Sequence, residues 1–281
     1  GDVIGAASAP DARPLDMTAI ARGLWPDGFD EPWRFVTGPE NHDIVYRDRE
    51  QRVARLGDPD NPRSWLGRSR ARVATGISLT APGVPMLFMG QEWAATSPFL
   101  YFTDHHPELG RLVTEGRRRE FGRFAAFADP ATREAIPDPQ AARTFEDSRL
   151  RWEEIDREPH ASMRRFYRAL LAWRRTEPAF SDAPVSGSDV ARVSDDALIM
   201  RRTHAGHSAV VIARLGGGGS VDLTGHAYFD GVTETLARVA MSTEFADFVG
   251  DPTPPRLDWS PHGLVIHFDR PGAIALRVGR V

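Results

Sequence analysis

Three observations predict an α/β segment followed by an all-β segment. Two short apolar runs, Phe35-Val36-Thr37 and Met86-Leu87-Phe88-Met89, each end in glycine and then polar residues, and one helical pattern lies between them. Strand, crossover helix and parallel strand make one β/α repeat. From about Pro184 the pattern changes to short strand-like runs split by Asp-Asp, Gly-rich and Pro-rich turns, which points to an antiparallel β-sandwich. The expected domains are residues 1–180 and 184–281.

A chain of 281 residues with 41% apolar and 26% charged residues is ordinary for a soluble globular protein with one large or two modest cores. No apolar run is long enough to span a membrane, and a cytoplasmic location without a membrane partner is expected. A net charge of -4 with dispersed arginines argues against a nucleic-acid partner. All 35 basic residues are arginine, which excludes lysine Schiff-base and phosphate-loop lysine chemistry. The lack of cysteine excludes disulfides and thiol catalysis. The first residue is Gly1 and the first methionine Met17, so a processed chain or a piece of a longer one is expected.

Residues 1–14 predict no element. Asp16 caps a helix whose Met17, Ile20, Ala21 and Leu24 share a face, ended by Pro26-Asp27-Gly28. The first strand stops at Gly38-Pro39 and delivers Asn41, His42 and Asp43 just past its end. In parallel barrels such loops build the active site, so a carboxylate beside an imidazole there is a functional candidate. Asx and His residues at that point also close turns through backbone bonds. Arg47, Arg49, Arg52 and Arg55 read as solvated or paired with Asp48 and Glu50. Asn61 and Pro62 start a helix in which Trp65, Ser69, Val73 and Ile77 recur every four residues, flanked by Leu66 and Ala74. It ends before Pro82-Gly83. The second strand then delivers Gln91 and Glu92.

ENHD at 40–43, followed about forty residues later by GVPMLFMGQE at 83–92, resembles strands seven and eight of the α-amylase family of glycoside hydrolases. Four ordered blocks, PFLYFTDH at 98–105, EGRRREF at 115–121, IPDPQ at 136–140 and TFEDSRLRW at 144–152, are similar to the malto-oligosyltrehalose trehalohydrolase branch of that family. ENHDIVYRDREQRVARL, with GQE where that branch leads one to expect GEE, is closer to glucan branching and general amylase-like enzymes. The resemblance implies the last β/α units of a (β/α)8 TIM barrel followed by a C-terminal β domain. It implies that His42 and Asp43 bind sugar hydroxyls, Asp43 being the carboxylate that stabilises an oxocarbenium-like transition state. Asn41, Gln91 and Glu92 are then supporting residues at the barrel mouth.

Retaining glycosidases also need a nucleophilic carboxylate and an acid/base carboxylate about 5 to 5.5 Å apart. In this family these follow strands four and five, and neither motif is present. The implied partners are an α-1,4-glucan or maltooligosaccharide and the missing N-terminal barrel units, in cis or in trans. Without those units the chain is expected to be inactive. No cofactor or metal is expected. A reading of another class is a non-catalytic maltooligosaccharide-binding protein that keeps half a sugar site.

Beyond Glu92, Phe99, Tyr101 and Phe102 beside Asp104, His105 and His106 suit a sugar site, since aromatic faces stack on rings and polar groups bond hydroxyls. The same aromatics suit a plug at the barrel rim. A metal site is not expected from adjacent ligands without a spaced third. A helix over 107–128 places Leu109, Leu112, Val113 and Phe121 inside and Arg117, Arg118 and Arg119 in water. Another over His160–Thr176 buries Met163, Phe166, Tyr167, Leu170, Leu171 and Arg174, and ends at Glu177-Pro178. Strands are expected at 190–193, 197–202, 208–215, 221–223, 264–268 and 274–278. Glycines 216–219 form a hairpin loop, without the following lysine of a phosphate loop. Two barrel strands alone expose an apolar flank, whereas the β domain is expected to hold together by itself.

Overall fold

The computed structural model describes residues 16–24, 31, 34–42, 64–121, 136–180 and 187–279. In chain order these form α1 (Met17–Leu24), β1 (Val36–Thr37), α2 (Trp65–Thr80), β2 (Val84–Pro85), α3 (Pro107–Phe121), α4 (Ala142–Asp147) and α5 (His160–Thr176). The strands β3 (Ser188–Arg192), β4 (Ala197–His204), β5 (His207–Arg214), β6 (Gly219–Asp222), β7 (Ala237–Ser242), β8 (Arg256–Ser260), β9 (Gly263–Phe268) and β10 (Gly272–Val278) follow.

The strands after α5 pair antiparallel in two sheets, one ordered β3-β4-β5-β10-β7 and the other β6-β9-β8. Alternation along β4, β5 and β10 sends side chains to two cores. Leu198, Met200, Val211 and Ala275 meet α1, α2 and α5, while Ile199, Val210, Ile212 and Leu276 meet Val221, Leu264 and Ile266 of the smaller sheet. The five-stranded sheet is thus a middle layer covered on both faces. This is why Ala197–Met200 and Ala209–Ala213 are almost fully buried and read as continuous apolar runs. The β4–β5 hairpin closes through Ala205 and Gly206, both at positive φ, as a two-residue hairpin turn requires.

The helices form the third layer. Asp16 caps α1 by accepting from the Ala19 amide at 2.9 Å, and Met17, Ile20, Ala21 and Leu24 are its buried face. That face lies on β3 and β4 and shares their core, which joins residues on both sides of the expected boundary near residue 180. Helix α2 is capped by Ser64, whose Oγ accepts from the Gly67 amide at 2.9 Å. The expected cap, Asn61, lies outside the described residues. From Ala71 on, α2 is buried on every side between α5 and the sheet. Helix α5 buries Met163, Phe166, Tyr167 and Leu170 as its spacing predicts, but Trp173 is buried in place of Leu171 and Arg174, which are half-buried.

Four expectations change. The second strand sits two residues earlier than predicted: Val84 donates to Phe35 at 2.8 Å and Met86 to Thr37 at 2.7 Å, after which Leu87 and Met89 are largely exposed. In α3, Leu109 and Leu112 face outward, because the packed side is Gly110, where Gln140 fills the space a Cβ would need. Glycines 216–219 do not close a hairpin, since β5 and β6 belong to different sheets. Strands β7 and β8 were missed because each is the last strand of its sheet and carries a mostly exposed, mixed sequence.

Candidate functional site

Strands β1 and β2 lie parallel, Val36 opposite Val84 and Thr37 opposite Pro85. Two glycines allow this approach. A Cβ on Gly38 meets the Met86 carbonyl oxygen at 2.7 Å, and one on Gly83 meets the Phe35 carbonyl oxygen at 2.7 Å. The polar groups therefore leave neighbouring strand ends, Asn41 half-buried and His42 exposed after β1, Gln91 and Glu92 after β2. Asp43, the residue to which the resemblance gives the central role, lies outside the described residues.

The turn after β2 is held from within. A short 3-10 helix, Gln91–Trp93, is flanked by Gly90 at φ 88° and Ala94 at φ 53°, both left-handed. Gln91 is fully buried; its Oε1 accepts from the Phe88 amide at 2.7 Å and its Nε2 donates to the Tyr167 hydroxyl at 2.9 Å. Thr75 shares that hydroxyl at 2.8 Å. Burial first, with the Glu40 and Glu92 carboxylates adding to it, raises the Tyr167 phenol well above its usual range against the lowering effect of its two hydrogen bonds. Tyr167 is thus a permanently neutral bridge among α2, α5 and the β2 turn. Glu92 folds back on its own turn, Oε2 accepting from the Gly90 amide at 2.9 Å. Glu40, not anticipated as a site residue, is fully buried beside Tyr167, and its sequence signal was its place as the first residue of the ENHD run.

The four blocks of the long excursion come together. The Ser148 Oγ accepts from the Leu100 amide at 3.0 Å, and the Pro139 carbonyl accepts from the Thr103 amide at 2.8 Å. Gln140 spans the His105 backbone, Oε1 accepting from its amide at 3.2 Å and Nε2 donating to its carbonyl at 2.9 Å. Asp138 accepts from the Gln140 amide at 3.0 Å and from Thr114 at 2.7 Å, and these bonds, the amide's first, hold its carboxyl below the usual range. Phe99 lies edge-on between Phe88 at 5.0 Å and Phe102 at 5.9 Å; Phe102 meets Phe145 at 5.2 Å. Tyr101 is 37% exposed with the Arg117 guanidinium 4.4 Å above its ring, so Arg117 is not simply in water. Asp104 and His105 are exposed on the same loop. Trp152, also not anticipated, is 62% exposed and packs 5.1 Å from the buried Trp93.

Among the described residues no group of three or more His, Cys, Asp and Glu is placed to hold a metal ion, and no helix is long and apolar enough to cross a membrane.

Comparison with solved structures defines the class of fold. The chain aligns over 99% of its length with 46% of a Salmonella typhimurium protein assigned to the α-amylases, at TM-score 0.63 and 22% identity. It aligns over 99% with 50% of trehalose-6-phosphate hydrolase from Bacillus licheniformis, at TM-score 0.57 and 16% identity. Its fold is thus shared with part of α-amylase-family enzymes. By sequence it is similar to malto-oligosyltrehalose trehalohydrolase from Deinococcus radiodurans, 40% identical over 157 residues that make up 56% of this chain and 24% of that protein. It is also 35% identical over 186 residues to the Rhizobium sp. protein of that name, covering 64% of this chain and 27% of the relative. The chain spans about a quarter of the length of these curated relatives. No protein-family model matches it.

Proposed function

We propose that residues 1–180 supply strands seven and eight of an α-amylase-family barrel and residues 184–281 its C-terminal β-sandwich domain. The completed enzyme hydrolyses a trehalose-capped maltooligosaccharide with retention, releasing trehalose. The observation that carries this reading is the parallel β1–β2 pair, whose neighbouring ends present Asn41-His42 and Gln91-Glu92, in a chain similar to trehalose-releasing enzymes. His42 and Asp43 hold hydroxyls of the sugar being cleaved, and Asp43 stabilises positive charge at its ring. Gln91 and Tyr167 position the turn that carries Glu92, and Tyr101, Asp104 and His105 face the substrate from the excursion, with Phe99 behind them.

Nucleophile and acid/base come from the missing barrel units, joined in cis or trans, because one stabilising carboxylate cannot both attack the anomeric carbon and protonate the leaving oxygen. Exposed Val36 and Val84, opposite each other in β1 and β2, form part of the surface those units cover. No cofactor takes part, and a cytoplasmic enzyme suits the composition.

The test has two arms. The purified chain should release no sugar from a maltooligosyltrehalose; release abolished by Asp43→Asn would overturn the need for the missing units. In the complete enzyme Asp43→Asn should lower kcat by roughly a hundredfold or more with a smaller change in KM, as expected for a group that binds the transition state more tightly. Unchanged kinetics would remove Asp43 from the mechanism. Free trehalose among the products supports this reading, new α-1,6 linkages a branching enzyme, and affinity without turnover a binding protein.

A further inference from the structure

The first turns of α2 and α5 line one cavity of about 330 Å3, together with the chain between β7 and β8 and the turn between β9 and β10. A space of this size suits a small molecule. Four guanidinium groups from three parts of the chain line it: Arg68 and Arg72 on α2, Arg165 on α5, and Arg270 before β10. The carboxylates of Glu158 and Asp251 line it too, and Glu244 stands against Arg72 and Arg270 at 2.8 and 3.6 Å. Positive groups therefore exceed negative ones by one here. The N-termini of two long helices add partial positive charge in the same place.

These arginines are held in place by the fold itself. Arg72 donates through Nη2 to buried Glu244 at 2.8 Å and through Nε to the Thr243 carbonyl at 3.1 Å. Arg165 Nε donates to the Asp247 carbonyl at 2.8 Å, and the Arg270 guanidinium lies 5.5 Å from the centre of the Trp65 ring. Gathering them has a cost. Burial first, and then Arg72, lower the Arg68 guanidinium from its usual range; burial, with Arg270 adding to it, lowers that of Arg72 against the raising effect of Glu244. An anion among them offsets that repulsion. Asp251 marks one place for it, its carboxylate reaching Arg270 Nη2 at 2.9 Å from a side chain that is 86% exposed. So exposed a carboxylate is weakly held and open to displacement.

We infer that this cavity binds a phosphate group, free or carried on a small molecule, which Arg68 and Arg270 hold in place of Asp251. Arg165 keeps its bond to Glu158 at 2.8 Å and adds charge at the rim. Guanidinium groups reaching in from α2 and from the β domain, with two helix N-termini beside them, suit a multiply charged anion with oxygens on several sides; a carboxylate needs only one bidentate arginine. Such a ligand ties α2 and α5 to the β domain. None of Asn41, His42, Gln91 and Glu92 lines the cavity, so the inference is independent of the proposed reaction.

Calorimetric titration of inorganic phosphate, glucose 6-phosphate and glucose into the full chain at constant ionic strength tests this. Both phosphates should bind and glucose should not; equal affinities assign the cavity to free phosphate, and tighter glucose 6-phosphate to a phosphorylated molecule. Arg68→Gln and Arg270→Gln should each weaken phosphate binding about tenfold or more, as loss of a charged donor predicts. Asp251→Asn removes the competing carboxylate and should tighten it severalfold. This exposed position leaves the fold intact, so its sign decides the matter even if an arginine variant fails to fold. No binding of either phosphate, glucose binding as tightly as glucose 6-phosphate, folded arginine variants with parental affinity, or an Asp251→Asn variant that binds no tighter would each overturn the inference.

Discussion

Two arginines converge on the C-terminal end of α2, and the geometry predicts that replacing each with methionine has different consequences. Arg174, on α5, donates to the carbonyls of Leu79 at 2.6 Å, Ala81 at 2.8 Å and Gly83 at 2.7 Å. A cation there complements the helix dipole, closes orphan carbonyls and ties α5 to the chain just before β2. Losing three bonds from a charged donor, at about 1.5 kcal/mol each and less the desolvation that a half-buried Arg174 itself carries, predicts a cost of roughly 3 to 5 kcal/mol for Arg174→Met. Arg202, on β4, approaches the carbonyls of Thr80, Ala81 and Phe180 only at 3.2 to 3.3 Å, and is 2% exposed. Its desolvation offsets its weaker bonds, so Arg202→Met should change stability by no more than about 1 kcal/mol. Urea unfolding checks this. With a slope of about 3 kcal/mol per molar urea, Arg174→Met should lower the midpoint by about 1 M or more and Arg202→Met by a small fraction of that. An equal or larger drop for Arg202→Met would refute the reasoning.

The same pair gives a pH signature. Burial, with Arg174 adding to it, brings Arg202 down from the usual guanidinium range to about 10. The folded chain therefore releases this proton before the unfolded chain does, and stability contributed by this group rises as pH is raised through about 10 and the burial penalty is relieved. The parent should gain stability relative to Arg202→Met on titration from pH 9 to 12. A flat difference would mean the charge is not buried at a cost.

Tyr167→Phe removes the hydroxyl shared by Thr75 and Gln91 and should cost about 1 to 3 kcal/mol in urea unfolding, because the buried Gln91 amide is left without that partner. An unchanged midpoint would mean that this network does not hold the turn. Gly38→Ala places a methyl group 2.7 Å from the Met86 carbonyl oxygen and should cost about 1 to 3 kcal/mol by forcing β1 and β2 apart. Slowed amide exchange at Met86 in this variant would contradict that.

Local patterning was enough to read α1, the interior of α2, α5 and six strands, because amphipathic spacing and apolar runs are properties of neighbouring residues. It also located the end of β1, where glycine followed by polar residues is a local signal, but placed β2 too late in the chain. Strands β7 and β8 were not legible, because charged and apolar residues are interleaved in them without an apolar run. The Ser64 cap was passed over for Asn61, which has equal capping propensity and differs only in where the chain enters the helix. Only the tertiary structure decided that β4, β5 and β10 are buried on both faces, with α1, α2 and α5 closing the second one. It alone set Gln91 inward, bonded to Tyr167 from 76 residues away, and left Trp152 and Phe145 at the surface. A tryptophan in RLRW and a phenylalanine in TFED look like core residues to any local rule; whether a ring is covered depends on what the rest of the chain brings over it.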